Sequence, residues 1–130
     1  MYGLFLRDLV IGASIGAHAF ERGAPQRLLV NIALALDNTP IRDELGAVTD
    51  YDFIRQAIDR IVSDGHIVLQ ETLCRRILEA CRSQDHVVAV AVSTQKTEVY
   101  PDAAAVGCRM SWFAEGCDRA AASLALGGSC

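Results

Sequence analysis

Lysine, long apolar runs and an excess of positive charge are scarce or missing in this chain of 130 residues. Of its 12 basic residues only Lys96 is a lysine, the others are arginines, and 16 acidic residues give a net charge of −4. This balance argues against a nucleic-acid partner. The apolar run at 87–92 is far shorter than the about 20 residues of a membrane-spanning helix. We therefore expect neither nucleic acid nor a membrane as a partner.

Signals for export, disulfide bonds and metal binding are also scarce. Arg7 and Asp8 bring charge too early for the apolar core of a signal peptide. The five cysteines are odd in number without a CxxC pair, and the three histidines lack the spacing of a zinc site. We expect a cytoplasmic protein with reduced thiols, no metal and no other cofactor. These residues are Cys74, Cys81, Cys108, Cys117 and Cys130, with His18, His66 and His86.

Strand patterns occur in two pairs, one in each half of the chain. Apolar residues alternate along 26–37, and a second apolar segment rich in β-branched residues lies at 4–15. The polar connection at 16–25 contains Gly and Pro, so the first pair is predicted to be a β-hairpin with a long loop. Alternation returns at 87–94 and at 104–112, which predicts the second pair of strands.

Helical spacing replaces strand spacing between the two pairs. Residues 53–62 place their apolar side chains on one helix face. The preceding residues 49–52 match a capping box, which predicts a helix that begins near Tyr51, and Asp64-Gly65 predicts its end. A second helix with an apolar face is predicted from about Glu71.

The order ββααββ predicts one α+β domain, in which two helices pack on one face of a four-stranded antiparallel sheet. The other face of the sheet is also apolar, and a four-stranded sheet leaves two open edges. We therefore expect the subunits to associate through their sheets as a homo-oligomer. After Glu115 the chain is rich in Gly, Ala and Ser, which predicts a domain at 1–115 and a flexible tail at 116–130.

Polar residues at the ends of the predicted elements are candidates for function. Glu71, at the start of the second helix, either stabilises the helix dipole or accepts two hydrogen bonds from an amidine-like edge of a ligand. Tyr51 either packs in a core or interface or stacks on a flat heterocycle. Glu21, in the hairpin loop, either pairs with Arg22 at the surface or belongs to a site.

Lys96 differs from the arginines in its chemistry. Lysine can lose a proton, whereas arginine keeps its charge to pH values above ~12. The one lysine lies just past the third predicted strand, so it is a candidate acid or base. The alternative is an exposed lysine at a strand end without a function.

Four segments, in order and at consistent spacing, resemble the dihydroneopterin aldolase family. Residues 16–22, followed by Gln26 and the second strand, resemble the family's hairpin signature, and 50–51 resemble its tyrosine motif. Residues 69–73 resemble the motif with the pterin-anchoring glutamate. Lys96, with the closing strand that follows it, resembles the lysine motif. Together they span about residues 4 to 112.

The resemblance implies the tunnelling fold, in which the sheets of four subunits form a barrel and two such rings stack as an octamer. It also implies a pterin site at the interface between subunits. Glu71 would hold the 2-amino and N3 edge of the pterin, aided by the backbone of Gln70. Tyr51 of the neighbouring subunit would contact the ring as a second catalytic residue, and Glu21 would help to bind the substrate. Lys96 would donate and accept the proton.

The implied reaction is a step of folate biosynthesis that needs neither a metal nor a Schiff base. 7,8-Dihydroneopterin would be cleaved by a retro-aldol reaction into 6-hydroxymethyl-7,8-dihydropterin and glycolaldehyde. Two alternatives share the same scaffold: a 2′-epimerase that acts on dihydroneopterin or its triphosphate, and a pterin-binding module without activity. The sequence departs from the family at Thr97, where proline is usual, and 109–112 is similar to the epimerase branch.

Overall fold

The four predicted strands form one antiparallel sheet. In the computed structural model, which describes residues 1–128, they are β1 (Tyr2–Ala13), β2 (Gln26–Leu36), β3 (Val87–Lys96) and β4 (Val106–Phe113). The order across the sheet is β1-β2-β3-β4, so β1 and β4 are the edges. The predicted fold class, α+β with the order ββααββ, is confirmed.

Two helices cover one face of this sheet and enclose the core. They are α1 (Asp52–Ser63) and α2 (Gln70–Arg82), and each buries one apolar stripe. The even-numbered residues of β2 from Leu28 to Leu36 are buried because they point to these helices, as the alternation along the strand predicts. The largest fully buried side chains of this core include Leu28, Ile32, Leu34, Leu36, Ile54, Ile58, Leu73 and Ile77.

The start of α1 differs in detail from the prediction. The helix begins beside Tyr51 as expected, but no capping box forms, and the side chain of Tyr51 makes no capping hydrogen bond. Instead, Asp50 Oδ1 accepts a 3.0 Å hydrogen bond from the backbone N–H of Asp52. A short aspartate side chain can turn back and accept a hydrogen bond from the backbone N–H two residues later. Asp50 therefore satisfies a backbone donor at the start of α1 without a capping box.

The ends of the second strand pair also differ from the prediction. β3 continues through Lys96, which is the last residue of the strand and does not lie beyond it. Lys96 is paired with Leu28 of β2 on one side and with Val106 of β4 on the other. β4 begins at Val106 and not at Ala104. The lysine therefore stands on a strand end that is held from both sides.

The structure corrects the prediction of a flexible tail for most of its length. Helix α3 (Arg119–Ala125) forms there, with Asp118 Oδ1 accepting a hydrogen bond from the N–H of Ala121. The helix packs on the sheet face opposite to α1 and α2, where Ala122 is fully buried with Ala35 and Ala89. The small side chains on both partners permit this close approach. Residues 129–130 of the predicted tail lie outside the described residues.

The cysteines that the structure describes are free thiols. Burial raises the pKa of Cys74 and of Cys81 to about 12, so both are protonated at neutral pH. Within residues 1–128, no helix is long and apolar enough to cross a membrane.

Candidate active site

Glu21 and Lys96 form a buried ion pair. Lys96 Nζ donates a 2.8 Å hydrogen bond to Glu21 Oε2, although the two residues are 75 positions apart in the chain. They are only 8% and 9% exposed. Among the ion pairs in the described part of the chain, this one alone has both side chains buried. Because a buried ion pair carries a desolvation cost, its presence in a small domain makes it a candidate functional site.

Local structure brings the glutamate to the lysine. Residues Ala19–Glu21 form one turn of 3-10 helix in the hairpin loop, and Glu21 is the buried residue of this turn. Arg22, its neighbour in the sequence, is exposed and makes no ion pair with it within residues 1–128. Of the two alternatives for Glu21, the surface pair with Arg22 is therefore wrong.

Gln26 completes a network of hydrogen bonds around the pair. Its Nε2 donates to Glu21 Oε2 over 2.8 Å and to the backbone oxygen of Ile15 over 2.6 Å. Lys96 Nζ also donates to the oxygen of Ile15, over 3.5 Å. The second carboxylate oxygen of Glu21 accepts from the N–H of His18 over 3.2 Å. The charged and polar groups thus have partners although they are buried.

The network determines the ionisation state of the carboxyl group. The hydrogen bond from Lys96, followed by the one from Gln26, lowers the pKa of Glu21 to about 2. Glu21 is therefore a carboxylate at neutral pH and can only accept hydrogen bonds. Within the pair, Lys96 Nζ is therefore the donor and Glu21 the acceptor.

Gly16 makes room for the carboxylate. Its φ of 143° lies in a region that side chains rarely permit, and a Cβ at this position would collide with the carboxylate of Glu21. Glycine is therefore the residue that allows the hairpin loop to close over the ion pair.

The start of α2 lies at the same end of the sheet as Lys96. Thr94 Oγ1 donates to Gln70 Oε1 over 2.9 Å, and Gln70 Nε2 donates to the oxygen of Val106, the sheet partner of Lys96, over 3.4 Å. Glu71 follows Gln70 and is exposed, and its carboxylate has no hydrogen-bond partner within residues 1–128. The first helical N–H bonds of α2 come from Thr72 and Leu73. In the part of the chain that the structure describes, the unpaired carboxylate of Glu71 therefore lies beside the first backbone N–H groups of α2, which have no helical oxygen to donate to.

Tyr51 does not join the other predicted residues in this chain. It is 65% exposed at the start of α1, beside Leu4, Leu45 and Asp50. No hydrogen bond of the described residues connects it to Glu21, Lys96 or Glu71. The structure thus unites four of the five predicted site residues at one end of the sheet, and it leaves Tyr51 apart.

Three contributors to this site were not predicted from the sequence. Gln26 was recognised only as part of a motif, and neither Thr94 nor the backbone oxygen of Ile15 was singled out. Thr94 follows the apolar run of β3 on the same strand face as Val90 and Val92, and this alternation is the only signal that the sequence offers for its burial. A buried hydroxyl requires a partner, and here the partner is Gln70.

Comparison with known proteins gives a consistent result. The family model for dihydroneopterin aldolase (FolB) matches residues 4–111. A dihydroneopterin aldolase from Burkholderia thailandensis, solved bound to guanine, is 38% identical with a TM-score of 0.78, over 87% of this chain and 91% of that chain. The E. coli enzyme, solved in complex with neopterin, is 22% identical with a TM-score of 0.79, over 86% and 99% of the two chains. No protein with a curated description matches.

The topology and the likeness to these structures define the class as the tunnelling fold, with a small α+β subunit. Because the family model covers most of the sequence, the chain belongs to the dihydroneopterin aldolase family.

Proposed function

We propose that this protein cleaves 7,8-dihydroneopterin by a retro-aldol reaction into 6-hydroxymethyl-7,8-dihydropterin and glycolaldehyde. The observation that carries the proposal is the buried Lys96–Glu21 pair, a proton-bearing amine held at the sheet end where α2 begins. Membership of the dihydroneopterin aldolase family supports it.

Glu71 is the proposed anchor for the pterin ring. Its carboxylate is exposed and has no partner within residues 1–128, so both oxygens are available to accept hydrogen bonds. A pterin and guanine both present an N–H beside an amino group, an edge that a carboxylate can bind with two charge-assisted hydrogen bonds. The guanine bound to the Burkholderia relative is consistent with such a site. The backbone N–H of Gln70 adds a donor next to it.

Lys96 is the proposed proton carrier. Removal of the proton from the side-chain hydroxyl on the second carbon allows the bond between the first and second side-chain carbons to break. The electron pair of that bond moves toward the ring imine nitrogen, which gains a proton, and glycolaldehyde leaves. Return of a proton to the first side-chain carbon, with loss of the proton from the ring nitrogen, then restores the ring imine and gives the hydroxymethyl product. In this scheme Lys96 moves these protons, through water, and the Glu21 carboxylate holds its amine in place.

Tyr51 enters the proposal through a second subunit. The outer edges of β1 and β4 pair with no strand within residues 1–128, and Tyr51 is exposed away from the ion pair. We propose that ring formation through these edges brings Tyr51 of one subunit to the Lys96 and Glu71 of the next. This proposal predicts complementation: Lys96→Ala and Tyr51→Ala, each inactive alone, regain activity when they are unfolded and refolded together, at about a quarter of the sites if mixing is random.

Product analysis tests the proposed reaction. Purified protein is incubated with 7,8-dihydroneopterin, and the pterins and glycolaldehyde are separated by chromatography. We expect both cleavage products, and we expect Lys96→Arg to lose most of the activity although it keeps the charge, because arginine does not exchange its proton readily.

Other outcomes of these assays would support one of the two alternative functions. Formation of the 2′-epimer without glycolaldehyde would identify an epimerase. Such an enzyme makes the same cleavage and then re-forms the bond after the aldehyde has rotated to present its other face. Tight binding of neopterin without any turnover would identify a binding module. An Lys96→Arg variant with full activity would contradict the role of the lysine.

A further inference from the structure

The segment 14–16, between β1 and the hairpin loop, is held by the linker between α1 and α2. The N–H of Ile67 donates to the oxygen of Ser14, and the N–H of Gly16 donates to the oxygen of Ile67, each over 2.9 Å. These bonds form an isolated parallel bridge between Ile15 and Ile67, both of which are buried. The segment therefore has a fixed position although it lies beyond the end of its strand.

The side chain of His66 reinforces this bridge on both sides. Its Nε2 lies 2.8 Å from the oxygen of Gly16, and its Nδ1 lies 2.6 Å from Ser14 Oγ. A carbonyl oxygen only accepts, so Nε2 donates to Gly16, and Nδ1 and the Ser14 hydroxyl share the second hydrogen bond. Ser14 Oγ in turn accepts from the N–H of Gly23 over 3.3 Å. Both ring nitrogens of His66 and the Ser14 hydroxyl thus have partners in this contact.

The residues that are held in this way form one wall of the Lys96–Glu21 site. The oxygen of Ile15 accepts hydrogen bonds from both Lys96 Nζ and Gln26 Nε2. Gly16 is the residue against which the carboxylate of Glu21 lies. Any displacement of the segment therefore changes the surroundings of both charged groups.

We infer that His66 and Ser14 are positioning residues for the proton carrier of this protein. Their hydrogen bonds fix the wall formed by Ile15 and Gly16, and this wall fixes the amine of Lys96 against Glu21. The inference rests on the proposed function for its effect on turnover, but its effect on the geometry of the ion pair is independent of any reaction. The hydrogen bonds of His66 within residues 1–128 go to Ser14 and Gly16 and not to Lys96 or Glu21.

Four variants distinguish the effect of losing the His66 hydrogen bonds from the effect of changing the size of its side chain. His66→Phe keeps a ring but removes both hydrogen bonds, Ser14→Ala removes one partner, and His66→Gln retains an N–H donor for Gly16. His86→Gln is the matched control, because this exposed histidine is bonded to Asp37 at the opposite end of β3. All variants are compared for unfolding, so that a general loss of stability is recognised.

Kinetics give the first measurement. We expect His66→Phe to lower kcat about tenfold with a smaller change in KM, as expected for a misplaced catalytic group. His66→Gln should recover part of kcat, and His86→Gln should match the wild type. The double variant of Ser14→Ala and His66→Phe should lose little more than the single one, because the two residues share one hydrogen bond. Unchanged kcat in folded His66→Phe would overturn the inference and leave the proposed reaction intact.

The single lysine provides a second measurement that requires no turnover. Protein labelled with 15N in lysine side chains gives one Nζ signal by NMR, which belongs to Lys96. We expect this signal to shift or to broaden by faster solvent exchange in His66→Phe and to stay unchanged in His86→Gln. If the wild type fails to cleave dihydroneopterin, the proposed function fails, and the Nζ signal still decides the inference. An identical signal in His66→Phe and in the wild type would contradict it.

Discussion

Thr94 Oγ1 donates a 2.9 Å hydrogen bond to Gln70 Oε1, and this bond ties the first residue of α2 to the strand that ends in Lys96. Glu71, the proposed pterin anchor, is the next residue of the helix. The distance between the anchor and the proton carrier therefore depends on a buried threonine that contacts neither.

Replacement of this threonine should affect stability and ligand binding together. Thr94→Val leaves Gln70 Oε1 without its donor, which we expect to lower the free energy of unfolding by about 1–3 kcal/mol. Guanine affinity, measured by titration calorimetry, should fall as the start of α2 shifts. Thr94→Ser keeps the hydroxyl and is the matched control for binding. Equal guanine affinity in Thr94→Val and Thr94→Ser would contradict this coupling.

Acid should weaken the fold through Glu21. The pKa of Glu21 is lowered from 4.5 to about 2 in the folded protein, chiefly by the hydrogen bond from Lys96. Its contribution to stability is therefore complete above pH 4.5 and is lost as the pH falls toward 2. We expect Glu21→Gln to be less stable than the wild type at neutral pH, with a difference that narrows over this interval.

Denaturant unfolding across this pH range measures the effect. Glu98→Gln removes an exposed carboxylate in the loop after β3 and serves as the control, with a pH dependence close to that of the wild type. A difference between Glu21→Gln and the wild type that stays constant from pH 6 to the acid limit would refute the assignment to this carboxylate.

The glycine next to the ion pair should tolerate no side chain. Gly16→Ala combines a positive φ with a collision against the Glu21 carboxylate, and we expect a loss of about 1–3 kcal/mol from the backbone alone. Activity should fall further, because the carboxylate must move away from Lys96. Gly12→Ala is the control, since a Cβ at Gly12 meets no atom. Similar free energies of unfolding and similar turnover rates of the two variants would contradict a close contact between residue 16 and the Glu21 carboxylate.

Helix α3 should dock on the sheet in solution. Ala122→Asp places a charge at a fully buried position, whereas Ala120→Asp places it at an exposed position of the same helix. Hydrogen exchange followed by mass spectrometry should show slow exchange for 119–125 in the wild type and in Ala120→Asp, and fast exchange in Ala122→Asp. Fast exchange of this segment in the wild type would instead support the flexible tail that the sequence predicts.

Periodicity was sufficient to predict the sheet and the two helices that enclose the core. The even-numbered residues of β2 and the apolar stripes of α1 and α2 are repeated patterns, and each is visible within a dozen residues. α3 was missed because its alanines were interpreted as low complexity. Ala122, Ala125 and Leu126 nevertheless recur at the spacing of one helix face, and alanine strongly favours helix.

The candidate site could be predicted only in part, because its contacts join distant residues. The resemblance to a family placed Glu21, Lys96 and Glu71, but the bonds that hold them run from Ile15 to Lys96 and from Gln70 to Thr94. His66 was interpreted only as a histidine that lacks metal partners. Its role depends on a bridge between two loops, and no local pattern predicts such a bridge.

The two members of the buried ion pair differ in their freedom to move. Lys96 ends a strand that is paired on both sides, whereas Glu21 belongs to a single 3-10 turn in a loop whose neighbouring residues are exposed. If the pair opens, we expect the glutamate and its loop to move, because the backbone of Lys96 is held in the sheet by β2 and β4.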